Sequence, residues 1–216
     1  DGTADTTPLH EYFGYANAAE LDGMSAVREF LARSGITYPQ LIELVETHFV
    51  NPHRWTLDFL SRIFASSPIS AASLYAKLGQ IETGTLSASA DADITAALAA
   101  YNAAAGTDIT AAQFDAWVTR HLGEFRQVIT LYQPESRCDL DTTSLRTIAN
   151  VYSGATASGL TNGDWTRIHR FIRLWNRLGW TIRETDLMLS ALGQTQITAQ
   201  TIERLEAVLA LKDASK

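Results

Sequence analysis

Apolar residues recur every three or four positions along most of the chain. Met24, Val27 and Leu31 keep this spacing, and so do Ile168, Phe171, Ile172 and Trp175. That period places each set on one face of an α-helix. Each run then meets a glycine, Gly35 or Gly179, which can take the left-handed conformation that stops a helix without steric cost. Ile36 and Trp180 follow as apolar residues that fold back onto the last turn, Trp180 toward Trp175. Thr37 and Thr181 open new helices, with Gln40 and Glu184 three positions later to complete capping boxes. Equivalent positions lie 144 residues apart throughout. The pattern predicts two helix-turn-helix units on one plan, although two copies define no repeat period.

Between these units the helical signals continue. Helices are expected over 57–64, over 71–78 with Gly79 closing it, and over 94–105 with Gly106 closing it. Thr110 and Gln113 form another capping box ahead of AAQFDAWVTRHLGEFR. QVITLY breaks the period with β-branched and aromatic residues, as a short strand does, and TSLRTI is its candidate partner. A lone hairpin is marginal in water, so it must pack on helices. VYSGATASGLTNGD reads as loop, and Thr198 caps a last helix through TIERLEAVLALK. The expected fold is mainly α, packed helical hairpins with one small β-hairpin or short strand insertion. The expected division is an extended or poorly ordered segment 1–22, a helical lobe 23–80, a loop 81–93, and a second lobe 94–216 carrying a β excursion near 127–148.

Composition narrows the function. The chain has 216 residues, 46% hydrophobic, with a formal charge of −7. That is enough chain for a substantial core, and too acidic for broad attraction to nucleic acid or anionic membranes. No stretch approaches the roughly 20 apolar residues of a membrane-spanning helix. The opening DGTADTTP has neither an initiator methionine nor signal-peptide regions, which points to a processed product or an excised piece. Cys138 is the single cysteine, which excludes an intrachain disulfide and a thiolate-rich zinc site.

Chemical motifs are weak. The five histidines, His10, His48, His53, His121 and His169, make no zinc-protease spacing. His48 and His53 flank Asn51-Pro52, which interrupts any shared helix. Asp139 and Asp141 fit turn and capping roles better than a carboxylate pair, since a calcium loop needs more oxygen ligands and a glycine turn. Cys138 has no neighbouring histidine to activate it and fits a small buried role. Glycine-rich phosphate loops and GxSxG elbows are missing from the sequence. No enzyme, metal site or cofactor is indicated.

One stretch stands apart. WTRIHRFIRLWNRLGWTIR carries Arg167, Arg170, Arg173 and Arg177 with no acid between Trp165 and Arg183. These four arginines are the candidate protein-interaction residues, with Glu203 and Glu206 as nearby acids to pair them. DNA reading by the second helix is disfavoured, because that helix opens with Arg183, Glu184 and Asp186, and carboxylates repel phosphates. Trp165, Trp175 and Trp180 suit interhelix packing, since a tryptophan buries roughly 200 Å².

RIHRFIRLWNRLGWTIRETDLMLSALG followed by ITAQTIERLEAVLALK resembles a segment of the A component of Tc (toxin complex) toxins, the virulence-plasmid A protein family. VREFLARSGITYPQLIELVETHFVNP is similar to an earlier segment of that family, and QVITLYQPESRCDLDTTSLRTI to the stretch between them. The likeness runs from Gly23 to Lys216 in the family's order, with FIRLWNRLGW as its most specific part. The resemblance implies a piece of the α-helical shell of a secreted toxin subunit that forms homopentamers around a translocation channel. It implies other shell segments and protomers as partners, with the B–C cocoon reached only through the parent protein. Pore-forming, receptor-binding and cocoon-binding segments are not present in this sequence, so direct membrane insertion is not expected of it. Shell opening in that family is linked to pH, and protonation of His169 among the arginines would add like charge.

Overall fold

A computed structural model of the chain describes residues 7–134 and 139–214. In order, the elements are α1 (Leu9–Tyr12), a 3-10 segment (Ala18–Ser25), α2 (Val27–Ser34), α3 (Tyr38–Glu46), α4 (Arg54–Ile63), α5 (Ala71–Glu82), a short 3-10 turn (Ala88–Ala90), α6 (Ala92–Ala105), α7 (Ala111–Arg126), β1 (Ile129–Tyr132), β2 (Ser144–Thr147), α8 (Ile148–Tyr152), α9 (Asn162–Leu178), α10 (Ile182–Ala191) and α11 (Ala199–Ala214). The fold is mainly α-helical, and β1 and β2 form one small antiparallel sheet.

The chain divides into two compact units that are not contiguous in sequence. The first unit takes residues 1–52, 129–146 and 157–216, and the second takes 53–128 and 147–156. In the first unit, both glycine-stopped hairpins share one core. Val27 and Phe30 of α2, Leu41 and Leu44 of α3, and Trp165 and Phe171 of α9 are all buried together. Phe30 lies 6.1 Å from Trp165 between ring centroids, and Phe49 lies 5.8 Å from Phe171. Ile129 and Leu145 seat the small sheet on the same core, which supplies the helical packing a two-stranded sheet needs.

Polar clips hold this unit together where backbone groups would otherwise be stranded. The Asp186 carboxylate on α10 accepts from the N–H groups of His48 and Phe49, at 2.9 and 2.8 Å. Buried Asn51 donates to the carbonyls of Val45 and Ile129, at 3.0 and 2.8 Å, and accepts from the Ile129 N–H at 3.2 Å. A buried amide so used has both its nitrogen and its oxygen paired, which is the condition for burying one at all.

The second unit packs α4 to α8 around Leu60, Leu78, Ile94, Phe114, Val118 and Leu122. Arg126 grips Glu82 with two parallel hydrogen bonds of 2.9 and 2.7 Å, the geometry a guanidinium and a carboxylate share. Lys77 reaches Asp91 at 2.6 Å and Asp93 at 3.0 Å. The hydrogen bond from the Lys77 ammonium holds the Asp91 carboxyl below its usual range, and that carboxylate also caps α6 through the N–H groups of Asp93 and Ile94.

Several expectations need correction. Residues 81–93 do not separate two lobes. They lie inside the second unit, where Ile81 and Ala88 are buried in its core. The hairpins assigned to different lobes, 23–80 and 94–216, meet in the first unit instead. Helical periodicity identifies a buried face and is silent on which face covers it. Within 1–22, the described part is helical at Leu9–Tyr12 and from Ala18, with Phe13 and Leu21 in the core, so it is not an extended tail. Gly79 sits inside α5, which runs to Glu82, and the left-handed glycine is Gly84, at φ 72°. The loop expected at VYS begins as the short helix α8, because Val151 and Tyr152 continue from the Thr147 cap. Cys138 lies outside the described residues.

Candidate functional site

The site is built on α9. Thr161 and Asp164 start it with a capping box, Oγ1 of Thr161 accepting from the Asp164 N–H at 3.2 Å and the Asp164 carboxylate accepting from the Thr161 N–H at 2.8 Å. Sequence reading missed this box, because aspartate stands where glutamate or glutamine is usual. Gly179 ends the helix at φ 64°, with its N–H on the Trp175 carbonyl at 3.2 Å. The Trp175 indole donates to the Trp180 carbonyl at 2.7 Å, so the expected fold-back is made through a hydrogen bond. Trp165 is fully buried beside Phe30, and Trp175 and Trp180 are half-buried against the same core.

The four candidate arginines divide. Arg167 is used internally, donating to the Val50 carbonyl at 3.1 Å and pairing with Asp164 at 3.1 Å. Arg170, Arg173 and Arg177 are exposed and follow one helical stripe, at i, i+3 and i+7. Arg170 donates to the Ile197 carbonyl at 3.3 Å, and the Arg173 guanidinium lies 5.2 Å from the centre of the Tyr12 ring. Glu206 lies beside Arg170 and Arg177 without an ion pair to either, whereas the expected pairing with an acidic neighbour is made by Arg167 and Asp164.

Between α9 and α11 runs a groove of about 980 Å³. Arg170, Arg173 and Arg177 line one side, Thr198 and Glu206 the other, and Leu174, Leu178, Ile202, Leu205 and Leu209 make it apolar between them. A second groove of about 410 Å³ lies between α10 and α11, lined by Trp180, Leu187, Met188, Ala191, Val208 and Leu209. Of residues 199–210 on α11, only Thr201 and Leu205 are buried. Ile202 keeps 38% of its surface exposed and Leu187 on α10 keeps 58%. The signal for the groove was present in the spacing of Thr198, Ile202, Leu205 and Leu209, which put one stripe along α11.

The other candidate residues take structural positions. Asp139 Oδ1 accepts from the Asp141 N–H at 2.9 Å in a turn, and Asp141 pairs with Arg28 at 2.5 Å. His48 is tied to Asp186 through its backbone, whereas His53 faces Glu124 at 3.9 Å in the second unit. Glu124 also meets His121 at 3.0 Å, and His121 packs on Trp55 with ring centroids 4.9 Å apart. His169 packs on the rings of Tyr12 and Phe13, at 4.7 and 5.1 Å. Among the described residues no group of three or more histidine, cysteine or acidic side chains is arranged to hold a metal ion, and no helix is long and apolar enough to cross a membrane.

The α9–α11 groove thus sets guanidinium groups, which can bind carboxylates, beside an apolar floor. Comparison with family models, curated proteins and solved structures finds no match to this chain.

Proposed function

We propose that this chain is a non-enzymatic structural segment of the helical shell of a Tc-like toxin A subunit, within a secreted toxin translocation assembly. One observation carries the reading. Both flanks of α11 are lined by apolar side chains left open to solvent, as expected of a wall element whose neighbours cover it in a larger protein. The FIRLWNRLGW resemblance supplies the family, and the capped hairpins supply a stiff wall. Its partners on this reading are other shell segments and other protomers of a homopentamer, with the B–C cocoon reached only through the parent.

Thiol labelling tests this reading. Leu187→Cys and Ile202→Cys, each in a Cys138→Ser background, should react quickly in the isolated chain and be protected in the source protein. Equal labelling in both settings, or a native protein no larger than this chain, ends the proposal.

A second reading keeps the fold and makes the chain an independent helical module that docks an acidic protein through its Arg-rich helix. The observation in its favour is that the exposed side chains of Arg170, Arg173 and Arg177 stand together along one groove. Capture of an acidic partner that survives charge reversal at Arg170 and Arg177 at low salt would remove it.

A further inference from the structure

We infer that residues 9–15 form a strap, latched by Arg33 of α2, that opens without unfolding the core and uncovers the His169 side of α9.

Local interactions do not sustain this segment. α1 is a single turn, and Pro8 at its start offers no side-chain cap. One turn of helix is far too short to be stable in water, so contacts with the rest of the unit keep it ordered. Its backbone hydrogen bonds run within the segment. The N–H groups of Phe13 and Tyr15 both donate to the His10 carbonyl, at 3.2 and 2.9 Å, and that of Gly14 donates to Glu11 at 3.0 Å. Phe13 is the one residue of 9–15 that is buried.

Arg33 supplies the latch. Its Nη1 donates to the Phe13 carbonyl, and its guanidinium lies 4.0 Å from the centre of the Tyr15 ring. Glu29, one turn back on α2, takes the Arg33 Nε at 2.5 Å and so fixes the guanidinium in that position. One side chain thus secures the carbonyl at the end of α1 and the ring two residues later.

The chain that follows is anchored in another way. Leu21 and Met24 of the 3-10 segment are buried in the core, Asp22 accepts from the Ser158 N–H at 3.2 Å, and the Val27 N–H donates to the Thr143 carbonyl at 3.0 Å. The Ala16 N–H and the Asn17 side chain both donate to the Glu20 carboxylate, at 3.0 and 2.9 Å, which ties them to this anchored side. The change from latched to anchored chain therefore falls between Tyr15 and Ala16.

What the strap covers is α9. The rings of Tyr12 and Phe13 stand 4.7 and 5.1 Å from that of His169, and the Arg173 guanidinium lies 5.2 Å from the Tyr12 ring. Opening takes both rings off His169 and adds its imidazole to the exposed face that carries Arg170. A segment that belonged to the core outright would leave only when Phe30 and Phe171 do.

Native-state hydrogen exchange on the whole chain tests the latch, with carbethoxylation of His169 as a second readout. The amides of Phe13, Gly14 and Tyr15 should exchange at least about a hundredfold faster than that of Phe30, although all are hydrogen-bonded. Arg33→Ala should speed their exchange by at least about tenfold and raise the rate of His169 modification, with exposed His48 as reference, while the Phe30 amide and the urea midpoint hold. Gly14→Ala should act alike without altering α2, because its methyl would meet Arg33 Nη1 at 3.1 Å at a backbone φ of 72°. Unchanged exchange in both variants overturns the latch. Exchange that rises only in step with that of Phe30 overturns the strap. Faster exchange with His169 modification unaltered overturns the cover.

Discussion

The hairpins α2–α3 and α9–α10 are built to one plan and spend their charges differently. Both stop at a left-handed glycine, Gly35 at φ 71° and Gly179 at φ 64°, and both restart at a threonine capping box. On α2, Arg28 pairs with Asp141 at 2.5 Å and Arg33 with Glu29 at 2.5 Å. On α9, Arg167 pairs with Asp164 at 3.1 Å, and the exposed Arg170, Arg173 and Arg177 line a groove. The first hairpin pairs both of its arginines with acids of the same chain. The second sets three exposed arginines along a groove. Matching caps therefore say how a hairpin is made, and the fate of its outer face says what it is for.

The shared core gives the largest test of this comparison. Phe30 and Phe171 are fully buried, one in each hairpin. Replacement of either by alanine should cost about 3–5 kcal/mol in urea unfolding. If one of the two leaves the transition untouched, the hairpins do not share a core.

A smaller effect separates the second helices. Asp186 on α10 holds two backbone N–H groups, whereas its counterpart by offset, Ile42 on α3, is 38% exposed. Asp186→Ala should cost about 1.5–3 kcal/mol, and Ile42→Ala no more than about 0.5 kcal/mol, in the same measurement. Equal losses would mean that the tie from α10 to the end of α3 contributes little.

The caps should behave alike. Thr37→Ala and Thr181→Ala each remove a capping box, and each should cost about 1 kcal/mol. A large inequality would show that the common plan is formal rather than energetic. The smallest effect concerns charge. Arg28→Ala should lose at most about 0.5 kcal/mol, and less in high salt, since its partner Asp141 is exposed. Arg177→Ala should change stability by about zero. A clear loss there would mean that its charge serves the fold and not the groove.

Much of this was legible along the chain because it is local. Gly106, Gly179 and the threonines at 37, 110 and 181 act within one turn of themselves, and each took its expected role. The strand QVITLY found its partner in TSLRTI for the same reason of nearness and composition. Errors arose where a local signal had competition. Gly79 failed to stop α5 because Leu78 and Ile81 on both sides of it are buried in one core, which holds the helix through that point. Arg167 was grouped with its neighbours by sequence and withdrawn from them by the Val50 carbonyl, 117 residues away.

The sequence by itself determined the helix starts at Thr37, Thr110 and Thr181, the stops at Gly35, Gly106 and Gly179, and that the charge of α9 after Asp164 is uniformly positive. Capping and periodicity are set by residues within a few positions, so they need no knowledge of the fold. Tertiary structure alone decided that the first and last hairpins belong to one core, that 53–128 and 147–156 form a separate unit, and that α11 stands opposite the arginines to make a groove. Those outcomes depend on which apolar face covers which, and many pairings satisfy the same pattern until volume, buried hydrogen bonds and chain connection select one.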